Sequence, residues 1–583
     1  MSRSSPRRAG RWQWTARLSL FVVVALLGSA CGAQRASVGP EISISPTTAP
    51  TADTTPTSPA CADAAARPAD TAQWWQDRVF YEAFVRSFSD ANGDGIGDLA
   101  GLTAKLDYLN DGDPATTSDL GVSGIWLMPI FESPSYHGYD TLDYDAIASD
   151  YGDLGAFDAF VAAAHARGIK VLLDLVVNHT SVDHPWFKDA LAGGPHRDWY
   201  NWSETDPGWP SVAGGSPWHP SSAGWYYGAF WSGMPDLNLR NPDVTTEIQR
   251  IAGEWLDRGV DGFRLDAAKH LIETGPTSQV NTPETRAWLS AFRDRVHASH
   301  PEALVLGEVW EPRIITSGYV EGGSLDMAFD FGIGPAALGA ARLGDATTLT
   351  VGMQDLSERY PAGSAATFLT NHDQRRVMTE LRGDERAASL AAAALLTGPG
   401  VPFVYYGEEL GIAGSKPDEN LRTPFPWDQT EPRHGFTSGS PWEPFWNGPP
   451  TTNVGSESAD PASLLSIYRN LIHLRAANPV LWSGSATRIE VARSDVAVTL
   501  RWQADRGALV IQNLGDEPAS GQGLSLATGP LCGAPRATVA FVSAPGYSAE
   551  PTDPIVTVTG GLDGYTPLAE IPARSTVVVN LSP

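Results

Sequence analysis

The feature that most limits what this chain can become is a rhythm. Eight short apolar runs recur down its middle: Val79–Phe84, Ile125–Ile130, Lys170–Val177, Gly262–Asp266, Leu304–Val309, Leu325–Phe329, Thr367–Thr370 and Val401–Tyr406. Amphipathic segments such as 155–167, 245–258 and 285–300 lie between them. Strands that are apolar on both faces and joined by helical crossovers have to be parallel and covered on both sides. Eight of them predict a closed (β/α)8 barrel over 74–478. The rhythm breaks once, over 179–240, a stretch dense in Trp, Pro and Gly. A structureless loop that long is improbable inside a compact domain, so an inserted subdomain is expected there. Beyond Asn478 the pattern becomes alternation, as in Val496–Trp502, Ala508–Ile511 and Thr576–Leu581, which predicts an antiparallel β-sandwich domain over 479–583.

The N-terminus is a different kind of sequence. Residues 1–30 hold five arginines and no acid, and end in the apolar run Leu18–Leu27, which reads as a secretory signal too short to span a bilayer permanently. Residues 31–73 are rich in Ala, Thr, Ser and Pro and have no periodic apolar pattern, as expected of a flexible tether. Small residues directly before Cys31 resemble a bacterial lipobox, although Gly28 stands where Leu is usual. A lipidated Cys31 leaves Cys61 and Cys532 as an even pair in an oxidising space, and a disulfide between them is expected. The chain is thus expected to be an exported or cell-surface monomer that meets the membrane only through its lipid. Its net charge of −27 excludes nucleic acid and anionic lipid as natural partners. Because the five leader arginines mask part of the acidic excess, the exported remainder is more acidic still.

In such a barrel, chemistry belongs at the C-terminal ends of the strands. The third run leads into Asp174-Leu-Val-Val-Asn178-His179, and the fourth carries Arg264-Leu-Asp266-Ala-Ala-Lys269-His270. The fifth ends in Gly307-Glu308-Val309-Trp310, and the seventh in Asn371-His372-Asp373. Three strands therefore deliver Asp266, Glu308 and Asp373 to one rim. Any one of these could be a structural ion pair; three together point to chemistry, because unpaired buried carboxylates are costly. Two carboxyl groups flanking a glycosidic bond are the minimum for retaining glycoside hydrolysis. Arg264, two positions before Asp266 and so on the same strand face, should hold that Asp ionised as nucleophile. Glu308 has no basic neighbour in its motif, so it is expected to stay protonated as the general acid. Asp373 could then hold substrate hydroxyls.

These stretches resemble the signature regions of the α-amylase family of glycoside hydrolases. Further matches are Gly124-Ile-Trp-Leu-Met-Pro129, Met234-Pro-Asp-Leu-Asn238 and Gly400-Val-Pro-Phe-Val-Tyr-Tyr-Gly-Glu408. The resemblance implies a barrel with an inserted domain B and a C-terminal β-domain. It gives Asp266 as nucleophile, Glu308 as acid/base and Asp373 as transition-state stabiliser. It also places His179, Arg264 and His372 at the first sugar subsite, Tyr139 of His137-Gly-Tyr-Asp140 as a stacking platform, and Lys269 and His270 beyond the cleaved bond. The seven Trp of the insert (Trp186, Trp199, Trp202, Trp209, Trp218, Trp225 and Trp231) are expected to form a sugar-binding wall.

Oxygen side chains at alternate positions of Asp90-Ala-Asn92-Gly-Asp94-Gly-Ile96-Gly-Asp98, with glycines between, suit Ca²⁺. The resemblance implies the same loop, with Ile96 giving its carbonyl. It also raises a second site at Asn178, Asp236 and the His270 carbonyl, positions that some relatives keep without a metal. For activity, the resemblance implies that Ala267 after the nucleophile and the Lys269-His270 pair, together with export, favour hydrolysis of α-1,4 bonds in α-glucans or maltooligosaccharides. Met234-Pro-Asp-Leu-Asn238 and Asp140, placed to hydrogen-bond a terminal glucose, instead resemble a group between oligo-1,6-glucosidases and neopullulanases. Exo-action by an α-glucosidase, transglycosylation and a non-catalytic sugar-binding homologue are the alternatives.

Overall fold

The computed structural model describes residues 73–583 apart from 211 and 213. The expected leader, the tether as far as Ala72, Cys31 and Cys61 lie outside the described residues. Cys532 is disulfide-bonded.

The eight apolar runs form β1 (Phe80–Ala83), β2 (Gly124–Leu127), β3 (Lys170–Leu175), β4 (Gly262–Leu265), β5 (Leu304–Gly307), β6 (Met327–Asp330), β7 (Ala365–Thr367) and β8 (Val401–Tyr405). Each pairs in parallel with its neighbours in chain order, and β8 closes on β1. Only β7 departs clearly from the run expected for it. Its ladder ends at Thr367, and Phe368–Thr370 leave it to carry Asn371–Asp373 over the rim.

Side-chain alternation divides each strand between two cores. The inward residues Phe80, Trp126, Leu172, Leu306, Phe329 and Phe403 plug the barrel, with Phe80 and Phe403 stacked at 4.6 Å. Outward residues such as Tyr81, Ile125, Val171 and Val305 join the shell beneath the helices. Among these helices, α1 (Leu154–Ala166), α2 (Pro242–Asp257) and α3 (Pro283–Ser299) each begin on a side-chain cap, from Asp153, Asn241 and Thr282 respectively. The cap fixes the helix start, and the apolar stripe of α2 (Val244, Ile248, Ile251, Trp255) fixes its buried face.

The insert leaves the barrel at His179 and returns at Asp236, where the two residues form a bridge. It holds a three-stranded antiparallel sheet of Trp202–Ser203, Gly224–Tyr227 and Trp218–Ser221. Its tryptophans are not the expected wall. Trp186 stacks on Tyr144, Trp202 lies flat on Phe187 beneath Arg197, and Trp218 is buried against Trp209 and Tyr227. Of the seven, Trp231 alone is mostly exposed, at 53 %. So small an insert needs those rings for a core of its own.

The C-terminal part is antiparallel, with sheet order β9-β10-β11-β13-β12 for β9 (Ser485–Arg488), β10 (Val496–Gln503), β11 (Arg506–Asn513), β12 (Arg536–Val542) and β13 (Ser575–Ser582). Two small two-stranded sheets cover one face of it over a core including Val498, Leu509, Leu524 and Tyr565. The buried Arg501 of β10 joins it to the barrel by donating to the Thr397 carbonyl at the end of the helix Glu385–Thr397, whose neighbouring Leu396 and Gly398 carbonyls accept from the buried Arg475 of the barrel helix Leu464–Ala477.

Candidate active site

Inward alternation on the strands lifts a polar layer above the apolar plug. Asp174 and Arg264 are register partners on β3 and β4, and both are buried. Arg264 Nη1 donates to both Asp174 oxygens at 2.9 and 3.1 Å and to Asp266 Oδ1 at 2.6 Å. Its Nη2 donates to Glu308 Oε2 at 2.8 Å. One guanidinium thus touches both carboxylates expected to flank the bond.

This contact corrects the reason given for the role of Glu308, which does have a basic neighbour. Its neutral form is favoured instead by burial, which pushes the carboxyl up; Arg264 opposes the shift and the Asp266 and Asp373 charges reinforce it. The chain supports the pair locally. Ala267 sits at φ 48°, a left-handed conformation that a non-glycine residue adopts only under constraint, and its N–H reaches Glu308 Oε2 at 3.2 Å.

Asp373 has different partners. Arg422 Nη2 lies 3.0 Å from Oδ1 and His372 Nε2 lies 3.3 Å from Oδ2. Burial alone would raise its carboxyl, but His372, then Arg422 and Arg264, outweigh this and hold it well below the usual carboxylate range. For His372, burial favours the neutral ring, yet Asp373 and Glu82 overcome it and push the imidazole up to about 10.

The other expected residues fall around this centre. Tyr139 stacks on His372 with centroids 5.5 Å apart, and its hydroxyl lies 3.0 Å from Asp174 Oδ2 and 2.8 Å from His372 Nε2. His179 Nε2 lies 3.0 Å from the Tyr139 carbonyl, and burial pulls the ring down to about 4, so it is neutral. Asp140 is buried beneath the rim, where Oδ1 accepts from Ser133 and Ser135. Lys269 is pinned by Glu311 at 2.9 Å and by the Trp310 carbonyl. His270 is held near 4 by burial, and its buried Nδ1 has no hydrogen-bond partner among the described residues.

In the loop 90–98 the acids turn toward backbone amides. Asp90 accepts from Gly93 and Gly95, Asn92 from Asp94, Asp94 from Ile96, and Asp98 from Ala91, Asn92 and Gly101. Gly93 and Gly95 have φ of 87° and 97°, and a Cβ on Gly95 would strike the Ser440 carbonyl. The donor set is hard oxygen throughout, as Ca²⁺ requires; Asp90 Oδ1, Asn92 Oδ1 and Asp94 Oδ1 accept one bond each and keep a second lone pair, whereas Asp90 Oδ2 and Asp98 Oδ2 each accept two. At the second position Asn178 donates directly to the His270 carbonyl at 2.9 Å, while the buried Asp236 Oδ2 has no hydrogen-bond partner among the described residues. Burial raises the Asp236 carboxyl well above its usual range.

Three residues at the centre were given no role from the sequence: Asp174, a carboxylate inside the third apolar run, Glu82 and Arg422. Glu82 carried a visible signal, a carboxylate inside the first apolar run. Arg422 carried none, because it stands in an irregular segment after β8.

A closed (β/α)8 barrel whose rim gathers acids about one buried arginine has the layout of a glycosidase. Residues 82–484 match the model of the α-amylase catalytic domain. The chain is 38 % identical over 454 residues to alpha-amylase 3 of Dictyoglomus thermophilum, covering 76 % of this chain and 85 % of that one. It is 32 % identical over 491 residues to oligo-1,6-glucosidase of Parageobacillus thermoglucosidasius, covering 71 % and 85 %. The crystal structure of the α-amylase from H. orenii superposes with a TM-score of 0.73 at 40 % identity, covering 87 % of this chain and 99 % of that one. The chain belongs to the α-amylase family of glycoside hydrolases.

Proposed function

We propose that this enzyme hydrolyses α-1,4-glucosidic bonds in starch-like α-glucans or maltooligosaccharides with retention of configuration. The observation that carries the reading is the shared guanidinium: Arg264 touches Asp266 and Glu308 together, while burial favours the protonated form of Glu308. In the first step an Asp266 oxygen bonds to the anomeric carbon as the glycosidic C–O bond breaks, and Glu308 gives its proton to the departing oxygen. In the second, Glu308 takes a proton from water, whose oxygen replaces Asp266 at the same carbon. Asp373, held ionised, accepts hydrogen bonds from sugar hydroxyls as the ring flattens.

The test is release of reducing sugar from starch, expected from wild type and lost in Asp266→Asn; equal release by both would overturn the mechanism. Products from amylose, pullulan, isomaltose and sucrose decide the bond. Early mixed maltooligosaccharides from amylose fit endo-action, whereas glucose alone would move the enzyme to the exo-acting reading. That second reading is favoured by the likeness to the oligo-1,6-glucosidase. Against it, Asp140 is already engaged by Ser133 and Ser135.

Calcium belongs to the same proposal. Asp90, Asn92, Asp94, Asp98 and the Ile96 carbonyl would hold it, and it would stabilise the loop without entering the chemistry. We also infer export as a lipid-tethered monomer, which suits a substrate too large to import. Labelling with a radioactive fatty acid, lost in Cys31→Ser, tests the tether.

A further inference from the structure

The first strand places one charged side chain among the aromatic rings of the barrel plug. Inward alternation from Phe80 aims Glu82 into the barrel, where it is 2 % exposed. Its Oε1 lies 2.5 Å from His372 Nδ1 and 3.4 Å from the His372 backbone N–H. The far side of the same ring is the active site, since Nε2 meets the Tyr139 hydroxyl at 2.8 Å and Asp373 Oδ2 at 3.3 Å. With Trp126 edge-on at 5.7 Å and Tyr139 stacked, the imidazole has no room to turn.

We propose that Glu82 is a positioning residue for the reaction: its buried carboxylate keeps His372 doubly protonated and oriented, and through that ring fixes Asp373 and Tyr139 at the first sugar subsite. The inference rests on the retaining reading above and deepens it. A neutral ring bonded to Glu82 through Nδ1–H would present a bare Nε2 lone pair to the Asp373 carboxylate at 3.3 Å, a repulsive contact. A doubly protonated ring gives each carboxylate a donor. The neighbourhood agrees with this assignment. Asp174 on β3 faces the ring, Arg422 donates to the His372 carbonyl, and Arg264 and Arg422 both act on Asp373. Tyr405 and Glu408 face Glu82 from the other side.

Two readouts test this, with Glu82→Gln as the isostere that keeps an acceptor and loses the charge. The first is the titration of His372 in protein enriched with ¹⁵N-histidine, its signal assigned by its loss in His372→Gln. The expected midpoint falls by about 1 to 3 pH units in E82Q, the range for losing one contacting opposite charge. The second is the alkaline limb of kcat/KM on maltoheptaose. In wild type it follows one proton, that of Glu308, and in E82Q it steepens toward two. A carboxylate that merely fills the barrel would change thermal stability and leave both readouts in place, and that result in folded E82Q overturns the proposal. Should E82Q not fold, Glu82→Asp decides: it is expected to keep the wild-type midpoint with a lower kcat, and a midpoint lost in E82D overturns the proposal equally. Failure of wild type to cleave the maltooligosaccharide would sink the functional reading, while the titration would still decide the role of Glu82.

Discussion

The barrel rim and the loop after β1 both gather acids, and they compensate them in opposite ways. At the rim, Asp174, Asp266 and Glu308 share Arg264, while Asp373 lies between His372 and Arg422; these three cations are almost wholly buried. In the loop, Asp90, Asp94 and Asp98 face backbone amides, and no side-chain cation pairs with them among the described residues. Fixed, buried cations leave neighbouring carboxylates in different protonation states, which acid–base chemistry needs. Amides shape a loop but leave its negative charge uncompensated, which a bound cation would offset. Composition alone treats the two clusters as equivalent.

The largest effect expected from breaking this contrast is on turnover. Asp266→Asn and Glu308→Gln should each cut hydrolysis by about 10⁴-fold or more while thermal unfolding stays near wild type. Asp90→Asn should lose stability instead. A folded Asp90→Asn with an equally large loss of kcat would erase the distinction between rim and loop.

Next comes Arg264→Met, which strips the shared cation from three carboxylates. Breaking buried ion pairs from one side costs about 3–5 kcal/mol. Because the orphaned carboxylates can relieve the strain by protonating, and burial already pushes Asp174 up to about 7 and raises Glu308 with the arginine present, the deficit in denaturant titrations should shrink as the pH falls below 7 and grow as it rises above it. A deficit independent of pH would mean that lost packing, not lost charge, is the cause. For wild type, the raised Glu308 carboxyl places the alkaline limb of activity above the ordinary glutamate range, since the acid must keep its proton.

Much of this contrast was legible beforehand. The apolar runs imposed the barrel, and polar residues at their ends marked Asp266, Glu308 and Asp373, because strand direction decides which rim a terminal residue occupies. What the sequence hid was contact across the barrel. Arg264 was assigned to Asp266 by spacing along one strand, yet its other nitrogen reaches Glu308, forty-four positions away. Arg422 arrives from an irregular segment whose path no periodicity encodes. The tryptophans of the insert misled for a related reason: a ring suits a sugar face and a small core equally well, and only packing separates the two uses.

The smallest effects belong to the loop, where they are also the most discriminating. Removing calcium with a chelator should lower the unfolding temperature, because a ligand at a hundred times its Kd contributes about 2.7 kcal/mol. Asp94 is exposed and makes one local bond, to the Ile96 amide. Without calcium, Asp94→Ala should therefore unfold within about 0.5 kcal/mol of wild type, as an ordinary surface substitution does. With calcium present, the variant should forfeit most of the stabilisation that wild type gains. Two curves that coincide in chelator and separate in calcium would place the cation on this loop. Curves separated by the same amount in both would show that Asp94 matters only for the turn, and the loop would then be an amide-built corner that needs no metal.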